Sequence, residues 1–245
     1  MLDLTGSIAG IIAVIVNTVA IATVLPLGLK GRTTLAAAVG AWVGLASGLA
    51  GLGLLAFALN QPVPLLGVLF ATPLVALAAA WQASPKLRTA LLEIPMPLLI
   101  RLNGFRVLGV LFLALAAVGR LGGPFPFSAG VGDIITGALA LPVAMVAARD
   151  PGRHARLVGR WNLFGTLDLV AAVGLGLTSA NGSPIQLFFN GAGSEAMQHL
   201  PFALVPTVLV PFYLTTHAII AAQLVHRRNL ERNRAPRSAV SQQPA

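Results

Sequence analysis

Few side chains in this sequence could do chemistry in an apolar setting, and three of them stand out. Asp168 interrupts the apolar run Arg160–Ser179. A lipid-spanning helix tolerates charge poorly there, and an ionisable residue in such a run usually faces a bundle interior or an aqueous path. His217, in the last apolar run, is the kind of side chain whose charge changes most readily near neutral pH. Arg106 lies in a third run, PMPLLIRLNGFRVLGVLFLALAAVG. An α-helix rises 1.5 Å per residue, so depth follows from distance to the helix end. Asp168 lies eight residues from Arg160, Arg106 eight from Leu98 and His217 eight from Val225. Each is then about 12 Å from the same boundary, in one layer.

An acid, a base and an imidazole at one depth offset each other's desolvation. Asn103, Tyr213 and Asn162 lie on the same helices within three to six residues of these groups. Two readings follow. In one, the layer is a substrate or proton pathway in which Asp168 and His217 change protonation and Arg106 is the countercharge or an anion anchor. In the other, Arg106 and Asp168 form a buried ion pair that fixes helix packing, with His217 bonded to a carbonyl. Asp133, in AGVGDIITG, falls near the outer start of its helix. There it serves either as a carboxylate favoured by the helix dipole or as an outer gate.

Other chemistries are excluded by what the chain lacks. It has no cysteine, hence no disulfide, thiolate metal site or cysteine nucleophile. Its only lysines, Lys30 and Lys86, lie outside the last helix, so a retinal Schiff base has no anchor there. Only His217 of the four histidines lies well inside a span, which leaves no pair of axial haem ligands. No metalloprotease, phosphate-loop or serine-hydrolase pattern occurs. Gly152, Ala155, Arg156 and Gly165 partly resemble the CDP-alcohol phosphotransferase signature. The metal-binding acids of that family would fall at Ala148, Pro151, Leu169 and Val173, and Asp150 and Asp168 each miss by one place. One residue on a helix swings a side chain by about 100°, so neither a two-metal site nor any other cofactor is expected.

The elements that position these groups are set by composition. Hydrophobic residues make up 56% of the chain and charged residues 9%, against about 25% charged in soluble domains. Several runs exceed the roughly 18 apolar residues that mark a membrane helix. The expected fold is an all-α integral membrane bundle of seven transmembrane helices over residues 1–228, with a short polar tail, 229–245, unstructured after its first turn. The spans run from about Ser7 to Leu29, Thr34 to Leu59, Pro64 to Trp81, Pro97 or Leu98 to Gly119, Phe127 or Val131 to Ala148, Arg160 to Ser179, and Pro201 to Val225. Segment 84–97, before the fourth helix, is too short and proline-broken to span, and reads as interfacial or re-entrant. The N-terminus lacks the basic start of a signal peptide, so the first run should remain as a helix.

All but one of the 16 Lys and Arg residues fall on one side of seven spans or in the adjoining helix halves; the exception is Arg120. The positive-inside rule then places the N-terminus outside and the C-terminus in the cytoplasm. The formal charge of +9 is thus a topology signal and carries no implication of nucleic acid. In the second span, Gly40, Gly44 and Gly48 repeat every four residues, a flat stripe for helix packing within the chain or against a second subunit. Pro201, Pro206 and Pro211 should kink the seventh helix. The loop 180–200 could cap an outer vestibule, with Gln186–Phe189 apolar enough to dip back or to rest on the lipid interface.

These features favour a multi-pass protein of the bacterial inner (plasma) membrane acting as a proton-coupled transporter or channel-like carrier of an unknown small molecule or ion. The alternatives are a non-catalytic subunit or scaffold within a homo-oligomer or larger membrane complex, and a membrane-embedded lipid-modifying enzyme. The lipid bilayer is the one certain partner.

Overall fold

The computed structural model describes residues 1–57, 64–150, 152–189 and 191–240, with side chains as far as Asn233. Its described residues are helical, without strands. The helices are α1 (Leu2–Val24), α2 (Leu29–Gly51), α3 (Leu65–Ala83), α4 (Pro85–Glu93), α5 (Met96–Leu102), α6 (Val110–Ala117), α7 (Phe125–Arg149), α8 (Ala155–Ser179) and α9 (Val210–Val240). A 3-10 turn, Asn103–Gly109, joins α5 to α6, so that Met96–Ala117 is one span; a π-turn, Val205–Leu209, leads into α9. Seven helices are therefore long and apolar enough to cross a membrane. Their outward faces carry Ile8, Ile12, Leu139, Leu163 and Leu167, all exposed, the arrangement expected where lipid is the solvent.

Local chemistry sets the helix ends. Pro26 follows the extended Leu25 and closes α1. Ser84 caps α4 by accepting the Leu87 N–H at 3.2 Å, with Pro85 in the first turn. Gly119, at φ +71°, follows α6 in the left-handed conformation that glycine adopts without steric cost. Between α7 and α8, the backbone N–H groups of Arg153 and Gly152 donate to Asp150, each at 3.0 Å. The Arg153 N–H, chiefly, holds this exposed carboxyl below the usual range.

Several boundaries differ from the sequence expectation. The second helix stops at Gly51, where a turn through Gly53 (φ +72°) turns the chain back before the apolar run is exhausted; the remainder of the expected span, 58–59, lies outside the described residues. Helix α7 begins at Phe125, before the expected start, because Pro124 and Pro126 suit a helix's first turn. Helix α9 continues through the polar segment to Val240, where the sequence suggested an unstructured tail. Between Pro201 and Pro211, where a kink is expected, the chain forms the π-turn Val205–Leu209.

Two ends of the bundle can be told apart. At one end Arg120 donates to Asp3 at 2.8 Å, and the turn Glu195–Gln198 closes over the helices. At the other, the basic end, Gln223 Nε2 donates to the Ile94 and Leu92 carbonyls at 2.8 and 3.1 Å, holding α4 against α9. Of the two readings of Gln186–Phe189 at the first end, dipping back into the bundle is not what the fold shows. Leu187 and Phe189 are exposed, whereas Ser194, Met197 and Gln198 are buried. The polar Ser194 satisfies itself by donating to the Gly176 carbonyl at 2.7 Å.

Candidate functional site

The site is built around one guanidinium. Arg106 sits in the 3-10 turn, its side chain 1% exposed. Its Nε donates to Asp133 Oδ1 on α7 at 2.7 Å. Its Nη2 donates to Asp168 Oδ2 on α8 at 2.5 Å. Its Nη1 donates to the Gly165 carbonyl at 3.2 Å and lies 3.0 Å from His217 Nε2 on α9. A guanidinium has N–H groups in a fixed fork and no acceptor, and four helical elements meet along that fork.

Glycine makes the approach possible. A Cβ at Gly132 would overlap the Asp168 carboxylate, and one at Gly137 would lie 2.5 Å from the Val107 nitrogen. At Gly109 a Cβ would come within 2.5 Å of the Asp133 Cβ, and at Gly165 within 2.6 Å of the His217 ring. Separations under 3.0 Å are not accommodated in real packing, so a larger residue at any of these four positions would displace Asp168, Asp133, the His217 ring or the Val107 backbone.

The hydrogen bonds also fix the imidazole. Arginine can only donate, so His217 Nε2 accepts and the ring proton resides on Nδ1. That nitrogen faces Asn162 Oδ1 at 2.9 Å, while Asn162 Nδ2 donates to the His217 carbonyl at 3.2 Å. Asn103 Nδ2 donates to the Thr216 hydroxyl at 3.1 Å, on the turn preceding His217. Trp161 packs on the His217 ring with centroids 5.2 Å apart and donates to the Thr136 carbonyl at 3.1 Å.

Arg106, Asp168, His217 and Asn162 share one hydrogen-bonded network, and Asn103 is buried beside it, bonded to Thr216. Tyr213 is buried beside it and lines a cavity with Arg106 and Asp133. Asp133 departs from expectation. It is not an exposed helix-start carboxylate. Because α7 starts early, Asp133 lies two turns inside and shares Arg106 with Asp168. Sequence reading also missed Gln198, Thr216 and Asn17. The small residues of AGVGDIITG were the one available signal for the close approach of α7.

The stripe Gly40, Gly44 and Gly48 is exposed, and a Cβ at any of the three would meet nothing within 4 Å. Packing within the chain does not use it. The helix turns its larger Trp42 and Val43 towards the bundle instead, and Trp42 Nε1 donates to the Thr207 carbonyl at 3.0 Å.

Three cavities flank the cluster. One, about 100 Å³, runs from Asp133 to Ser194 and Gln198 at the loop end. A second, about 60 Å³, joins Asp133 and Arg106 to Tyr213. A third, about 430 Å³, extends from Asn17, Thr207 and Thr216 to Leu25, Leu87 and Leu91 at the basic end. Asp133 borders the first two, and Asn17 and Tyr213 lie between the second and third. Both carboxylates are largely enclosed, Asp133 16% and Asp168 7% exposed. Among the described residues no three His, Asp or Glu side chains are placed to hold a metal ion.

Residues 63–225 match the family model described as Domain of unknown function (DUF8737). The chain belongs to this family. The matched region begins just before α3 and ends within α9, so it contains the whole Arg106 cluster, while α1 and α2 precede it. No curated protein and no solved structure matches the chain.

Proposed function

We propose that this member of the family is a proton-coupled carrier of the bacterial inner membrane, with the N-terminus outside, the basic end in the cytoplasm and α4 lying at the cytoplasmic interface. The topology rests on the distribution of Lys and Arg, of which Arg120 alone adjoins the loop end. The function rests on one observation: two carboxylates share a single buried guanidinium, and one of them, Asp133, borders two cavities on the loop side of the cluster. With His217 neutral, the cluster carries one negative charge too many for a buried site. It becomes neutral when one proton or one monovalent cation is aboard.

In this reading Asp133 carries the exchangeable charge because it borders both cavities. Asp168, which is held by Arg106 and borders neither cavity, is the fixed counter-ion. His217 serves as a permanent acceptor that orients Arg106, a different role from proton transfer. Arg106 has its Nε, its Nη2 and both sides of Nη1 engaged, which argues against an anion anchor. The flanking 3-10 and π-turns have non-α hydrogen bonding, a common feature of elements that shift during function.

The test is proton movement in vesicles driven by an opposing gradient of monovalent cation, because a site that takes either charge exchanges them one for one and moves no net charge. Wild type should exceed empty vesicles, and Asp133→Asn should return the rate to baseline. Equal rates for the two proteins would remove the carrier reading. One observation favours a second reading: the exposed stripe Gly40, Gly44 and Gly48 suits a subunit that packs through α2 into an oligomer or larger complex. A purified particle of single-chain mass would count against it.

A further inference from the structure

The largest of the three cavities, about 430 Å³, lies where two helices part. At the loop end α2 and α3 share one apolar cluster, Ala46 and Ala50 with Leu66 and Leu69. Towards the basic end Leu35 and Val39 of α2 and Pro73 and Leu77 of α3 line the cavity instead. Ala38, on the same wall, is exposed and Leu35, Val39 and Leu77 are half-buried, so the cavity opens to the protein surface there. Along α1 it runs from Val14 to Leu25, a rise of about 16 Å. Half of a bilayer's hydrocarbon core is about 15 Å, so the cavity is as deep as one leaflet. Its walls ask for no polar ligand. The hydroxyls of Thr18, Thr207 and Thr216 donate to carbonyls of the preceding turn at 2.7, 2.6 and 2.8 Å. Water finds no partners along such walls, and a void would leave the lining without dispersion contacts on one side.

The basic end of this cavity carries charge of one sign. From Leu4 to Leu92 the chain has four cations, Lys30, Arg32, Lys86 and Arg88, and no carboxylate. Among the described residues none of the four is in an ion pair. Arg32 reaches back over the end of α1, donating to the Leu27 and Thr23 carbonyls at 3.1 and 3.4 Å, on either side of the lining residue Leu25. Lys86 and Arg88 flank Leu87, which also lines the cavity. Trp81 fixes Arg88: its carbonyl accepts at 3.1 Å and its ring lies 5.8 Å from the guanidinium. Guanidinium groups match phosphate in geometry, and Lys and Arg clustered beside a membrane helix attract anionic headgroups. We propose that this cavity holds one acyl chain of an anionic phospholipid, with the phosphate bound at the basic end by Arg32 of α2 and Lys86 of α4. A neutral lipid would supply the chain and leave the cations unanswered. Where water enters this cavity from the basic end, as a carrier requires, the chain must first leave it; the proposal holds for either reading of the Arg106 cluster.

Bromine on an acyl chain quenches indole fluorescence on contact, and Trp42 stands in the cavity wall. The purified full chain in detergent is titrated with phosphatidylglycerol or phosphatidylcholine carrying brominated chains. Phosphatidylglycerol should quench saturably and at the lower mole fraction, and Trp42→Phe should lose most of that quenching. Arg32→Gln and Lys86→Gln should each raise the half-saturating fraction about fivefold, the worth of one basic residue at an anionic surface. Ala38→Phe, which fills the cavity and keeps the charges, should abolish the quenching of Trp42. The two lipids are compared on the unaltered chain, so the inference stays open to refutation even where a variant does not fold. Equal quenching by both lipids, quenching that does not saturate, or unchanged quenching in Trp42→Phe or Ala38→Phe would overturn it. So would a particle of two chains that stays unquenched, which would mean that a second copy covers the cavity.

Discussion

The first three membrane-length helices and three of the four that follow are built from similar residues yet are enclosed very differently. In the most apolar 18-residue stretch of α1, α2 and α3, 17%, 11% and 11% of residues are buried; for Met96–Ala117, α7 and α9 the shares are 44%, 39% and 44%. Mean hydropathy does not separate the groups, since it is 2.2 for α1 and 1.9 for both Met96–Ala117 and α7. What separates them is where small and polar residues fall. In the core they face inward, as Gly109, Gly132, Gly137 and Gly165 do around Arg106. On α2 they face outward, as Gly40, Gly44 and Gly48 do. A membrane helix joins the core through what it lets approach, since lipid gives apolar side chains no reason to prefer protein.

This contrast can be broken at several points. The largest effect should come from Arg106→Met, which leaves two enclosed carboxylates without a counter-ion. Removing one partner of a buried pair costs about 3–5 kcal/mol, to be read by denaturation in detergent. Adding Asp133→Asn and Asp168→Asn should restore most of that loss. The exposed pair Arg120–Asp3, 40% and 57% exposed, offers the comparison, because Arg120→Met should cost about 0–1 kcal/mol.

Next in size is Gly137→Val, whose Cβ would press on the Val107 backbone. It should destabilise by about 1–3 kcal/mol, whereas Gly44→Val should stay within about 0.5 kcal/mol. A matching loss at Gly44 would mean that another chain covers α2, and the mass of the purified particle would show it. The smallest effect belongs to Asn17→Leu on α1. Asn17 is 2% exposed and neither amide atom has a hydrogen-bond partner among the described residues, so its removal should stabilise by about 1 kcal/mol. Destabilisation there would instead assign Asn17 a structural bond, with the nearby Tyr213 hydroxyl as its partner.

How much was legible in the sequence varied with what a pattern can encode. Helix rise is fixed, so counting residues placed Arg106, Asp168 and His217 at one depth, and they do meet. Counting could not show that Asp133 joins them, because that required the start of α7. The prolines flanking Phe125 look like loop residues in a sequence and turn out to lie in a first helical turn. Nor does depth give rotation, which decides that His217 accepts from Arg106. For α2, four-residue spacing revealed a flat face but not what lies against it. The inward fold of Ser194–Gln198 was hidden for a similar reason. Apolarity pointed to Gln186–Phe189, while the segment that enters does so through hydrogen bonds to Gly176 and Phe57.

The most direct test of a charge site reached from both ends uses the absence of native cysteine. Single cysteines at Ala172, in the loop-end cavity, and at Thr215, in the basic-end cavity, would be exposed in vesicles to an impermeant cationic thiol reagent. Leu167→Cys, on a lipid-facing surface 57% exposed in the fold, is the control and should stay unlabelled. A carrier requires Ala172→Cys to react from the loop side and Thr215→Cys from the basic side. Failure of both to react from either side would mean that water never reaches the Arg106 cluster, and that its charges serve packing alone.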